Sequence, residues 1–433
     1  MKHSVTAAIL ALAAAGVSAY GAQGNPENQH LQKGDYVAVI GDSITEQKLY
    51  SVYIEDYLLM CKPAPDLTIT QFGWSGETSW GFAGRMHNDM ISFGANVATT
   101  NFGMNDGGYS PENPQKEKQY HDAYTDVVEQ LKKGGVRFIV VGSPGAVDTW
   151  SFGKDQKNPK PVSERSVMYN KTLGTERDLA RKVAREQGVV FADVFDPMMQ
   201  VMEKAKAKYG PQYTVAGGDG VHPGPNGHLV MAYAYLKALG CDGNIGTITV
   251  DLAGNKATGS EGHKILSDNN GSVEIESARY PFCFFGDPKS TNATSGIIEF
   301  FPFNQDLNRF TLIVSDAQAG KQYKVTWGDA SKTFPGDALS KGINLAAEFV
   351  TNNPFAQTFA KVDKKVRQQQ DFETPLVKHF IHDLPGYEQA LPDEKQAFGK
   401  ILPALVAKDK PLREGSAAAV TPVKHTIRVE EEK

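Results

Sequence analysis

A serine, a histidine and an aspartate stand out because together they could pass one proton along a line. Ser43 follows an apolar run, Tyr36 to Ile40, and then a Gly41-Asp42 pair. That pattern reads as a buried strand that stops abruptly, with Thr45-Glu46-Gln47 opening a helix behind it. A serine on such a turn is either a helix cap or a hydroxyl presented for chemistry. A hydroxyl becomes a useful nucleophile once a base takes its proton and a carboxylate holds that base in one tautomer. Far along the chain, "GDGVHPGPNGH" places Asp219 three residues before His222, on a glycine- and proline-rich loop ahead of a helix-like stretch. The pair can meet both needs. Taken in isolation, Asp219 equally well caps a turn and His222 is a solvated loop histidine.

Attack on an acyl carbon builds negative charge on its oxygen, and each preorganised N–H aimed there is worth about 2.7–4 kcal/mol. Two stretches offer such donors. "NFGMNDGG" follows an apolar strand and supplies the side-chain amide of Asn105; "GWSGETSWGF" follows another and supplies the backbone N–H of Gly76. Either could be an ordinary glycine or asparagine turn. Asp42, Trp74, Asp106 and Trp150 are candidates for touching substrate, and Asp148 is a further one. Trp80, Tyr109 and Phe152 also fall after strands, although aromatic side chains more often fill cores. His228, near the start of the last helix of this half, reads as a packing or capping residue.

These side chains need a scaffold that brings distant loops together. From Asp35 to Gly240, short apolar runs alternate with longer helical ones. The strands read as Tyr36–Ile40, Leu67–Phe72, Val97–Phe102, Arg137–Val141 and Val189–Val194. Helices read near Tyr50–Leu59, Trp80–Ile91, Lys116–Lys133, Glu164–Gln187, Pro197–Tyr209 and Pro225–Leu239. Such alternation predicts an α/β fold of three layers, a parallel sheet with helices on both faces. Ligands of these sheets sit outside the carboxyl ends of the strands, where Ser43, Gly76 and Asn105 all fall.

After Gly240 the chain turns to β-branched residues and short turns, then back to helical patterns from Asp337 to Val406. The organisation read is a catalytic unit over residues 31–240, a β-rich accessory region over 241–335 forming an antiparallel sheet or small sandwich, and a helical region over 336–433. The last twenty residues have few apolar anchors and read as fraying, with His425–Val429 able to add an edge strand. Ahead of all this, Lys2 and His3 precede an alanine-rich apolar run and a small-residue site near Ala19 to Ala22. Residues 1–22 read as a removable leader, so the protein is expected outside the cell or in a periplasm. The run is too short to favour a membrane span. With 433 residues, 40% hydrophobic and 22% charged, and a net charge of -5, the chain has no nucleic-acid signature. Three cysteines give no disulfide framework and no metal spacing. A Cys241–Cys283 bridge and buried free thiols both remain open.

"GDSITE", "SGETS", "GMND" and "DGVH" occur in that order, and as a set they resemble the four blocks of the SGNH hydrolase (GDSL esterase) superfamily, in its exported bacterial type with a C-terminal accessory region. The resemblance spans roughly the first half of the chain. It implies a flavodoxin-like fold and no metal or cofactor. It implies that Ser43 is the nucleophile, His222 the base and then the acid, and Asp219 its orienter. The N–H groups of Ser43 and Gly76 and the amide of Asn105 would form the oxyanion hole. Family membership leaves the ester open. An exported carbohydrate O-acetylesterase is the first reading, with an acetylated glycan or another small-acyl ester as partner. A lysophospholipase-like lipid or thioester hydrolase is the second. A glycan-binding protein with an incidental hydrolase fold is the third.

Overall fold

The computed structural model describes residues 29–432; the leader read at residues 1–22 lies outside them. Five strands, β1 (Tyr36–Gly41), β2 (Thr68–Gly73), β3 (Val97–Asn101), β4 (Phe138–Gly142) and β5 (Val190–Ala192), form one sheet in the order β2-β1-β3-β4-β5. Every pairing in it is parallel. Successive residues of β1 point to opposite faces, so Val37 and Val39 join one buried cluster while Ala38 and Ile40 join another. A strand buried on both sides must be apolar throughout, which is why alternation is missing from its sequence. Helices α1 (Ser43–Glu46), α2 (Tyr50–Asp56), α3 (Ser79–Asp89), α4 (Pro114–Lys133), α5 (Glu164–Gln187), α6 (Phe195–Tyr209) and α7 (Pro225–Ala238) complete the three layers.

The C-terminal region differs from expectation in two ways. A four-stranded sheet joins β6 (Asn244–Asp251), β7 (Lys256–Gly259), β10 (Arg309–Ser315) and β13 (Ile343–Asn344), and its β6–β10 pair is parallel. A parallel return needs a long crossover, here the whole stretch between those two strands. The second sheet has the order β12-β11-β14-β9-β8, all antiparallel, from β8 (His263–Asn269), β9 (Ser272–Ser277), β11 (Gln322–Trp327), β12 (Ala330–Pro335) and β14 (Val423–Glu431). The chain end therefore does not fray or lie on an edge: β14 is the central strand of this sheet. Val423, His425, Ile427 and Val429 are buried, and the charged residues between them face out. That alternation outweighs the low apolar content, because a strand needs only one buried face. Cys61, Cys241 and Cys283 are free, buried thiols, so no Cys241–Cys283 bridge forms.

Short helices α8 (Phe303–Leu307), α9 (Gly336–Lys341) and α10 (Leu345–Glu348) lead to α11 (Ala356–Pro375), α12 (Leu384–Ala390) and α13 (Lys395–Ala418). Helices α11 and α13 close the β2 edge of the parallel sheet. Glu373 accepts the N–H of Gln71 at 2.9 Å, and Gln369 donates to the carbonyl of Ile69 at 3.0 Å. Asp409 of α13 accepts from Thr70 at 2.9 Å. Side chains thus satisfy backbone groups that an open edge would leave unpaired.

Candidate active site

Strand β1 pairs with β2 and β3 in a register that sets Gly41 beside Gly73 and Asn101. The loops that leave these three ends must therefore emerge side by side. Gly41 has no room for a side chain: a Cβ there would lie 2.1 Å from Thr45 Oγ1 and 2.9 Å from the carbonyl of Asn101. Asp42 caps α1, its carboxylate accepting the N–H of Ile44 at 2.8 Å. Ser43 is thus not the cap but the first helical residue, whose N–H has no intrahelical acceptor.

His222 reaches this turn from the loop before α7. Its Nε2 stands 2.8 Å from Ser43 Oγ, and its Nδ1 stands 2.7 Å from Asp219 Oδ2. An ionised carboxylate only accepts, so Nδ1 carries the proton and Nε2 accepts from the Ser43 hydroxyl. Asp219 Oδ1 accepts the N–H groups of Val221 and His222, each at 2.9 Å. The two readings of this aspartate coexist: one oxygen caps the turn and the other holds the imidazole. Burial alone would raise its carboxyl, but those N–H donors and the imidazole outweigh burial and hold it below the usual range. Gly220 enables the turn, with φ +86 and the Phe152 backbone nitrogen 2.4 Å from where a Cβ would stand.

Asn105 follows β3. Its Nδ2 donates to the carbonyl of Glu77 at 2.9 Å and reaches Asp42 at 3.4 Å, while its Oδ1 accepts from the hydroxyl of Tyr109 at 3.1 Å. Tyr109, read from sequence only as an aromatic that could line the cleft, therefore orients the amide. Gly76, with φ +76, lies exposed on the loop after β2.

The candidate substrate contacts divide. Asp42 and Asp106 are both buried and bonded to backbone and side-chain partners. Asp106 accepts from Ser79 N, Ser79 Oγ and Gly103 N. Burial pushes the carboxyls of Asp42 and Asp106 up to about 7 and about 6. Asp148 is likewise engaged by the protein's own groups. It is fully buried, accepts from Lys206, Trp150 and Val215, and donates its own N–H to the carbonyl of Gly220. Trp74 is half-buried, with the Arg85 guanidinium 4.4 Å and the Lys378 ammonium 4.8 Å over its ring. Its ring is taken up largely by the protein itself. Trp150, half-buried, sits on a loop bonded to the histidine loop, since Ser151 Oγ donates to the carbonyl of Gly217 at 2.9 Å. Phe152 is core, stacked on Tyr169. His228 is core as well, its Nδ1 accepting from Tyr50 N and its ring stacked on Tyr50.

Residues 39–230 match the model described as the GDSL-like Lipase/Acylhydrolase family. This segment is a domain of that family, and the protein is an ester-hydrolysing enzyme. Among solved structures, a gut microbial diltiazem-metabolizing enzyme superposes with a TM-score of 0.70 at 22% identity, covering 94% of this chain and 100% of that one. The shared fold thus extends through the C-terminal region. An acetylxylan esterase from Geobacillus stearothermophilus aligns at 21% identity and a TM-score of 0.39 over 49% of this chain and 97% of its own. An alpha/beta hydrolase from the metagenome of Lake Arreo, Spain, gives the same TM-score, identity and coverage. No curated protein matches the chain in sequence.

Proposed function

We propose that the protein is an exported serine esterase that removes small acyl groups, acetyl above all, from carbohydrates. The unbroken line Ser43 Oγ–His222–Asp219, at 2.8 and 2.7 Å, is the observation that carries the reading. In it, Oγ attacks the ester carbonyl carbon while its proton moves to Nε2. The carbonyl electron pair goes to oxygen, where the N–H of Ser43, the N–H of Gly76 and the Asn105 amide receive it. Collapse expels the alcohol, which takes the proton back from Nε2 and leaves an acyl-serine. A water then repeats the sequence and frees the acid. Asp219 stays anionic throughout and steadies the imidazolium.

The exposure of the line supports a short acyl group on a bulky polar alcohol. The side chains of His222 and Asp219 are 35% and 55% exposed, so the alcohol portion can remain in solvent. Trp150 beside the histidine loop and the exposed Trp80 are the surfaces on which a sugar ring could rest. Among the described residues no helix is long and apolar enough to cross a membrane. In this reading residues 31–240 form the catalytic domain, followed by the accessory regions at 241–335 and 336–433. The test is acetate release from acetylated xylo-oligosaccharides and a nitrophenyl ester series. Turnover should peak at two to four carbons and vanish in Ser43→Ala. A preference beyond about six carbons would favour a lipid hydrolase instead.

A further inference from the structure

The C-terminal region reaches the loop that carries Gly76. A wide helical turn, Leu376–Ile381, follows α11. From it, Lys378 Nζ donates to Glu46 Oε1 at 2.8 Å, across 332 residues of sequence. The other oxygen of Glu46 accepts the N–H of Ser75 at 2.5 Å. Glu46 ends the short helix that Ser43 begins, and Ser75 directly precedes Gly76. One carboxylate therefore ties the helix of the serine to the loop of the glycine, and one distant lysine holds that carboxylate. The pair is sheltered, with 18% and 19% of its side chains exposed.

The turn bearing Lys378 is itself well anchored. Asn88 donates to the carbonyl of Ile381 at 2.8 Å, and His382 Nδ1 lies 2.8 Å from Asp89. Leu376, Val377 and Ile381 are buried in the core with Phe82 and Met86 of α3. Gly76, by contrast, faces open space where a Cβ would stand, at the centre of a turn closed by the Glu77 N–H on the carbonyl of Trp74 at 3.1 Å. Its direction has to come from its neighbours. Glu77, on the far side, is held by Asn105 and by Arg85; Ser75, on the near side, is held by Glu46.

We propose that Lys378 and Glu46 are positioning residues of the ester hydrolysis, the chain Lys378–Glu46–Ser75 setting the Gly76 N–H against Ser43, so that the C-terminal segment completes the oxyanion hole. This rests on the serine-esterase reading. A misplaced donor stabilises the ground state no less but the transition state much less, so kcat should fall with KM kept. In the full chain, Lys378→Met should lower kcat on nitrophenyl acetate about tenfold with KM within about twofold. Lys378→Arg, which keeps the charge and the bond, should recover most of the rate. Inhibition by a phenylboronic acid, whose serine adduct places an oxygen in the hole, should weaken in step with kcat. Glu46→Gln should mimic Lys378→Met, and the double variant should lose no more than the worse single one. It also keeps the idea testable if Lys378→Met does not fold. Wild-type kcat in both single variants, additive losses, or a kcat loss that Lys378→Arg shares would overturn the proposal. Ser43→Ala separates the two failures: if it abolishes turnover while Lys378→Met is indifferent, the brace alone is wrong. If Ser43→Ala keeps full turnover, the esterase reading falls and the brace with it.

Discussion

The molecule holds two polar networks of similar composition and opposite character. At the mouth of the parallel sheet, Asp219 is half in solvent, fed by two N–H groups and an imidazole, and its carboxyl is held low. Under α11 and α13, Glu55 and Glu373 are fully buried among Gln369, Gln370 and Gln71. Burial pushes their carboxyls up. The same functional group is held as an anion ready to steady a cation in one place and pushed towards its neutral form in a buried hydrogen-bonded strut in the other. Solvent and donor count decide which, not residue type.

The contrast breaks first at Asp219. Asp219→Asn keeps the shape but can present its amide to Nδ1, turning the imidazole into the wrong tautomer. A fall of roughly 10³- to 10⁴-fold in kcat is expected in steady-state assays, with the melting temperature nearly unchanged. Glu373→Ala should do the reverse, sparing the chemistry and weakening the fold. It strands the buried N–H of Gln71, while Gln369 keeps Glu55 and the Ile69 carbonyl, for an expected loss of about 1–3 kcal/mol in urea unfolding. A preserved midpoint would show that water replaces the strut.

Asp42 sharpens the comparison because it lies beside the active turn yet is buried like the strut. Its carboxyl keeps a proton up to about pH 7 in the folded protein, while the unfolded chain releases it near about 3.9. Between those values the unfolded state binds fewer protons, so stability should fall as pH rises, by at most about 1.4 kcal/mol per pH unit from this group. Below that window the contribution is fully present, and above it no further loss accrues. Asp42→Asn, still a capable cap, should flatten that part of the pH–stability curve; an unaltered slope would assign the titration elsewhere. The smallest effect belongs to Tyr109→Phe. Losing the hydroxyl that orients Asn105 should cost about 1 kcal/mol in transition-state binding, a several-fold drop in kcat with KM kept.

Much of this was legible in the residues. Strand β1 and its arrest at Gly41 are local events: an apolar run and then a glycine where no Cβ fits. Helix α5, Glu164–Gln187, covers the stretch its residue pattern marks out. The Asp219–His222 spacing is likewise local, because one turn of loop sets both oxygen contacts. What stayed out of reach is the burial that distant segments impose. Asp42 and Asp106 look available beside their motifs, yet the fold buries them. The end of the chain looks too poor in apolar residues to order itself, yet β14 sits between β11 and β9, whose edges wait for it.

The amino-acid order by itself determined which segments of the first half become strands and which hydroxyl, imidazole and carboxylate stand near their ends, because those outcomes depend on neighbours a few residues away. Only the tertiary structure decided that Gly41, Gly73 and Asn101 end side by side, that two helices seal the β2 edge, and that Lys378 meets Glu46. Those pairings follow from which surfaces can be buried together at once, a property of the whole chain that no single stretch of it contains.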